Sequence, residues 1–152
     1  MGMLQRTKYI CLIAAVAGMF CLPGLAQSPR YTLFGGALLG SPSGFTVGGG
    51  LDFAIAHNVS FDPSIAGGRT GSAGVFTAQG VFDYSFHPDD EAFIPYILGG
   101  VGLAEVGSVT HGSVIAGVGV RFPIGNGEWI VPEVQVGDHG LGRFTIGFSK
   151  SF

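Results

Sequence analysis

His111 and Ser113, separated by Gly112, are the residues of this chain whose types and spacing suit covalent chemistry. Residues two apart on an extended strand share a face. The imidazole would then stand beside the hydroxyl as general base, with Glu128 or Glu133 downstream as the acid that orients it, an arrangement for acyl transfer. The same letters also read as a turn histidine beside a loop serine. That plainer reading is the expectation here, because the phase of the neighbouring residues points the pair into the interior of the fold. Four histidines, His57, His87, His111 and His139, lie far apart with no second ligand at close spacing, so no metal site is expected. Asp89, Asp90 and Glu91 form an acidic turn that lacks the ligand pattern of a calcium loop. The glycine runs at 48–50 and 99–102 never complete a dinucleotide-binding pattern before a helix. No cofactor and no catalysis are expected.

The elements that carry these residues are strands. Clusters of Gly, Pro, Asn, Asp, Ser and His divide the chain after residue 26 into eight segments, predicted at 30–40, 44–56, 59–66, 74–87, 93–105, 113–124, 128–136 and 142–152. Several alternate with period 2. In the second, Phe45, Val47, Leu51, Phe53 and Ile55 oppose Thr46 and Asp52; in the last, Phe144, Ile146, Phe148 and Phe152 oppose Thr145, Ser149 and Ser151. This phasing assigns Asp52, Asp62, Asp83, Arg121, Glu133, Gln135 and Arg143 to one inward set, where unlike charges would meet. If Gly125-Asn-Gly127 closes a short hairpin, Arg121 is expected within cross-strand reach of Glu133, with Arg143 sharing that carboxylate. Pro63, Pro95 and Pro132 fall inside strands and must be absorbed by bulges or strand ends.

Composition says which solvent the outward set meets. Only 11% of residues are charged, against about 25% in soluble domains, and the chain carries 28 glycines and 13 phenylalanines. After residue 26 no apolar run is long enough for a membrane-spanning helix. Only helices and closed barrels satisfy every backbone group in lipid, which leaves a barrel. Eight strands enclose an interior that side chains can fill, not an open pore. Trp129, Tyr31, Phe86 and Phe93, near strand ends, are candidate girdle residues.

Residues 1–26 read as a cleavable signal peptide: Arg6 and Lys8 precede an apolar run, and small residues at Gly24 and Ala26 suit cleavage. Both cysteines, Cys11 and Cys21, fall within it, so residues 27–152 contain no disulfide framework. Of seven basic residues two lie in that segment, leaving five against ten acidic, a net charge of −5 that offers nothing to nucleic acid. No linker or second domain is expected.

The alternating segments, Pro95-Tyr-Ile-Leu-Gly-Gly-Val-Gly-Leu103, the hairpin 117–125 leading to Pro132-Glu-Val-Gln135, and the terminal Phe152 resemble small outer-membrane β-barrel proteins of the OmpA and OmpX type. The resemblance implies an all-β fold, a closed up-and-down antiparallel transmembrane barrel of eight strands. It implies residence in the outer membrane as a monomer, with a structural role in the envelope. It also implies that Ile146, Phe148 and Phe152 form the C-terminal signal read by the barrel assembly machinery. Lys150 departs from the usual hydrophobic residue there. The pair His111/Ser113 is similar to the His-x-Ser pair of lipid A deacylases, though the flanking residues do not match. The alternative from another class is a soluble secreted or periplasmic barrel that binds a small apolar ligand.

Overall fold

A computed structural model describes residues 29–86, 89, 92–138 and 142–152. The expected signal peptide with its two cysteines lies outside them, as do His87, Asp90, Glu91 and His139. The chain forms eight strands: β1 (Arg30–Leu39), β2 (Gly44–Ala56), β3 (Val59–Thr70), β4 (Ala73–Ser85), β5 (Ile94–Val106), β6 (Val109–Gly125), β7 (Glu128–Gly137) and β8 (Gly142–Ser151). Each pairs antiparallel with its sequence neighbours, and β1 pairs with β8 from Arg30↔Ser151 to Leu39↔Gly142, closing the barrel. Closure leaves no sheet edge along the paired strands. An even strand number brings both ends of the described chain to one rim.

The distribution of side chains is inverted relative to a water-soluble protein. Leu33, Val101, Val114, Phe82, Ile146 and Val136 stand exposed on the outside, while Asp52, Asp83, Arg121, Gln135, Arg143 and Thr145 are buried inside. A small apolar cluster, Val81, Tyr96, Leu98 and Val131, also faces inward. Trp129 packs against it, so this residue is part of the lumen filling and not of an outer girdle. Three pairs of outside aromatics meet at the rim that carries the termini, Tyr84 against Phe86, Phe93 against Phe122, and Tyr31 against Phe152, while the exposed Phe45, Phe76 and Phe144 lie toward the opposite rim.

Strands β3 and β6 run further than predicted, through Thr70 and from Val109. The two-residue turns Gly71-Ser72 and Gly107-Ser108 replace the longer loops expected there. Gly71 (φ 55°) and Gly107 (φ 63°) supply the left-handed residue that lets so tight a turn close. Likewise Asn126 (φ 53°) and Gly127 (φ 72°) make the β6–β7 hairpin with positive φ at both positions, the type I′ signature.

The prolines are not absorbed by bulges. The register shifts sit beside turns, at Ala54/Ala56 and Pro123/Gly125. Around Pro63 and Pro132 the ladder skips two positions and resumes in the same register, Gly50↔Ser64 to Phe53↔Phe61 and Gly119↔Glu133 to Phe122↔Ile130. A missing N–H removes a bond without adding a residue, so pairing lapses and then continues in phase. Pro95 is the second residue of β5, a strand-end position.

Candidate functional site

The lumen holds the chemistry-bearing side chains. Arg121, on the inner face of β6, lies 3.0 Å from Asp83 Oδ2 and 3.3 Å from Asp52 Oδ2 and donates to Ser85 Oγ at 2.8 Å. Its guanidinium stacks 4.2 Å from the centroid of the Tyr96 ring. Arg30 reaches the same Asp52 oxygen at 2.9 Å. Three strands, β2, β4 and β6, thus meet at one guanidinium, whose planar fork can serve several acceptors at once.

A second centre forms around Glu133 on β7. The Tyr96 hydroxyl donates to its Oε2 at 2.7 Å and Gln135 Nε2 to its Oε1 at 2.8 Å, while Arg143 Nη2 stands 3.8 Å from Oε1. Arg143 also lies over the Phe34 ring, 4.9 Å from its centroid. The expected Arg121–Glu133 pair is not formed. Tyr96 intervenes, with its face to Arg121 and its hydroxyl on Glu133, and the bare Gly119 opposite Glu133 leaves space for the ring, which an added Cβ would strike. Arg143 does meet Glu133, as an ion pair beyond hydrogen-bond length.

Asp62 lines the cavity between the two centres, about 30 Å³ in volume, together with Asp52, Gln79 and Arg143. One polar atom on each of the last three, Asp52 Oδ1, Gln79 Nε2 and Arg143 Nε, has no protein partner among the described residues. A polar cavity of this size can hold water.

Tyr96→Phe tests the second centre. It keeps the ring against Arg121 and removes the donor to Glu133 Oε2, so the folded barrel is expected to lose about 1–3 kcal/mol. Urea unfolding of the vesicle-embedded protein measures it.

His111 and Ser113 lie in β6, not in a turn. Ser113 Oγ donates to Asp138 Oδ1 at 2.9 Å, just beyond the end of β7. Neither acid expected to orient the pair is near. Glu133 pairs with Gly119 lower on β6, and Glu128, beside the β6–β7 turn, binds Lys150 Nζ at 2.8 Å. Alternation could not reveal Asp138, because it follows a strand and its approach depends on where β7 ends. At the rim with the termini, His57 pairs with Asp89 at 3.4 Å, both exposed. Of the C-terminal residues, Ile146 and Phe152 are exposed outside, Phe148 pairs with Leu33 and Ile130, and the Phe152 N–H donates to the Pro29 carbonyl.

Neither a protein-family model nor a curated protein sequence matches the chain. Solved structures do. The N-terminal β-barrel domain of Pseudomonas aeruginosa OprF superposes with a TM-score of 0.70 at 13% identity, over 83% of this chain and 98% of that one. The fold is that of the eight-stranded outer-membrane barrels. Neisserial surface protein A shares this barrel at a TM-score of 0.59 and 15% identity, covering 82% and 96% of the two chains. The outer membrane enzyme PagL does so at 0.56 and 17%, covering 81% and 99%. The barrel therefore serves both enzymes and other proteins, and the fold alone does not separate them.

Proposed function

We propose that the chain is an integral outer-membrane barrel, exported by its N-terminal segment and inserted as a monomer, with a structural role in the envelope, a filled lumen and no catalysis. The observation that carries this reading is the inversion of polarity: large apolar side chains outside, and ion pairs and amides within. Water would have no reason to stabilise that arrangement, whereas lipid would. The same inversion opposes a soluble barrel with an apolar ligand, since the lumen cavity formed by the described residues is small and lined with polar groups. Fractionated cells are expected to hold the protein in the outer membrane, migrating differently in SDS gels before and after boiling. A single mobility, or recovery as a detergent-free soluble monomer, refutes the reading.

Ile146, Phe148 and Phe152 are proposed to guide assembly. Deleting Phe152 is expected to lower the heat-modifiable fraction in cells while leaving unassisted refolding into pure vesicles unchanged. Loss in both settings would make its role structural, through the contact with Tyr31.

One observation favours a second reading, an acyl hydrolase: the contact of Ser113 with Asp138. The hydroxyl proton there is directed at a carboxylate, whereas the acyl-transfer arrangement needs it on an imidazole nitrogen. The embedded protein is expected to release no more fatty acid than its Ser113→Ala variant. Release that depends on Ser113 would establish the hydrolase.

A further inference from the structure

Among the described residues of the lumen, three carboxylates each have a guanidinium of their own. Arg30 meets Asp52 at 2.9 Å, Arg121 meets Asp83 at 3.0 Å, and Arg143 stands 3.8 Å from Glu133. Asp62, on the wall of the lumen cavity, is left over. No hydrogen bond or ion pair reaches its carboxylate from the described residues.

The strand register sharpens this imbalance. Pairing lapses around Pro63 between Gly50↔Ser64 and Phe53↔Phe61, and the register kept across the gap sets Asp52 opposite Asp62. Like charges directly opposite destabilise a sheet. Both guanidiniums that touch Asp52 do so at Oδ2, whereas Oδ1, on a residue only 4% exposed, has no protein partner. On the other side, Gln79 pairs with Ser64 and is thus the diagonal neighbour of Asp62. It is 9% exposed, and its Nε2 also lacks a partner. All four residues line one cavity of about 30 Å³.

Four carboxylates against three guanidiniums leave one negative charge in excess inside a wall surrounded by lipid. A lone buried charge is strongly destabilising until something neutralises it. One positive charge restores balance and two overshoot. The described residues also bring together no group of three acids or imidazoles of the kind that holds a metal by protein ligands alone.

We propose that the lumen cavity binds one small monovalent cation between Asp62 and Asp52 Oδ1, with Ser64 and Gln79 supplying neutral oxygens. These are the hard ligands such an ion takes. The proposal rests on the membrane reading and adds an ion site to it. The cavity has room for roughly two water-sized particles, so a water can separate the ion from Arg143 Nε, which is likewise unpartnered.

Sodium is the probe. The protein is folded into phosphatidylcholine vesicles, and urea unfolding is followed while sodium chloride replaces N-methylglucamine chloride at constant ionic strength. Above the dissociation constant, each tenfold rise in sodium is expected to raise the folded-to-unfolded ratio about tenfold. Asp62→Asn is expected to abolish this dependence and, without sodium, to be more stable than the wild type, because the lone charge is gone. Gln79→Lys places an ammonium beside Asp62 and is expected to abolish the dependence as well, which keeps the test valid if the first variant misfolds. An inserted wild-type barrel whose stability ignores sodium overturns the site, and stability that rises instead as pH falls assigns the neutralising charge to a proton. Equal sodium dependence in the wild type and both variants also overturns it. Each of these results leaves the membrane reading intact, whereas failure to insert overturns both.

Discussion

Replacing Arg121 by alanine is expected to destabilise the folded barrel by about 3–5 kcal/mol, the cost of leaving buried charges without their partner. Two carboxylates depend on this guanidinium. Asp83 is 2% exposed and forms no second ion pair among the described residues, where Asp52 keeps Arg30 alone. The Ser85 hydroxyl and the face of Tyr96 lose a partner as well. Urea unfolding from vesicles, followed through the fluorescence of Trp129, reports the loss; Trp129 is the one tryptophan of the chain and packs against the lumen cluster. Adding Asp52→Asn and Asp83→Asn to the alanine variant is expected to recover part of the stability, because the orphaned charges are then gone. Arg69→Ala provides the contrast. That arginine is exposed and donates only to the Ser72 carbonyl at 3.4 Å, so its loss should stay within about 0.5 kcal/mol. Equal effects of Arg121→Ala and Arg69→Ala would show that the lumen pairs contribute nothing to stability.

Val101→Arg is expected to cost about 2–4 kcal/mol, the value for a cation on the lipid face near the bilayer midplane. Val101 is 65% exposed, lies midway along β5 and pairs with Gly80 and Val114. In a water-soluble protein so exposed a position would accept arginine within about 0.5 kcal/mol. The substitution therefore separates the two solvents by its size. The same replacement at Phe122, near the rim with the termini, should cost less, because the side chain can reach the interface. A Val101→Arg protein as stable as the wild type would contradict a lipid-facing belt.

Much of the architecture was legible in the sequence for a local reason. Period-2 alternation assigns each strand residue to a face, and Gly, Asn and Pro mark the turns, so eight antiparallel strands and an apolar exterior follow without knowledge of contacts. The errors were also local. Gly67 to Arg69 read as a loop, yet they continue β3, because Val75, Phe76 and Gly74 supply partners across the hairpin. Trp129 read as a girdle residue, and packing placed it on the lumen cluster.

What alternation cannot say is which strands face one another across the lumen. That depends on closure and on the size of what lies between, and neither is a property of a single strand. Cross-strand spacing favoured Glu133 as the partner of Arg121, but the Tyr96 ring, admitted by Gly119, separates them and turns Arg121 toward Asp52 and Asp83. In the same way Glu128 and Glu133 are the first acids downstream of Ser113, and Asp138 is the one that meets it. The sequence by itself determined the strands, their faces and the solvent each face prefers, since these are set by neighbours two residues apart. Tertiary structure decided the pairings, because a charge binds whichever partner the curvature of a closed wall brings within about 3 Å.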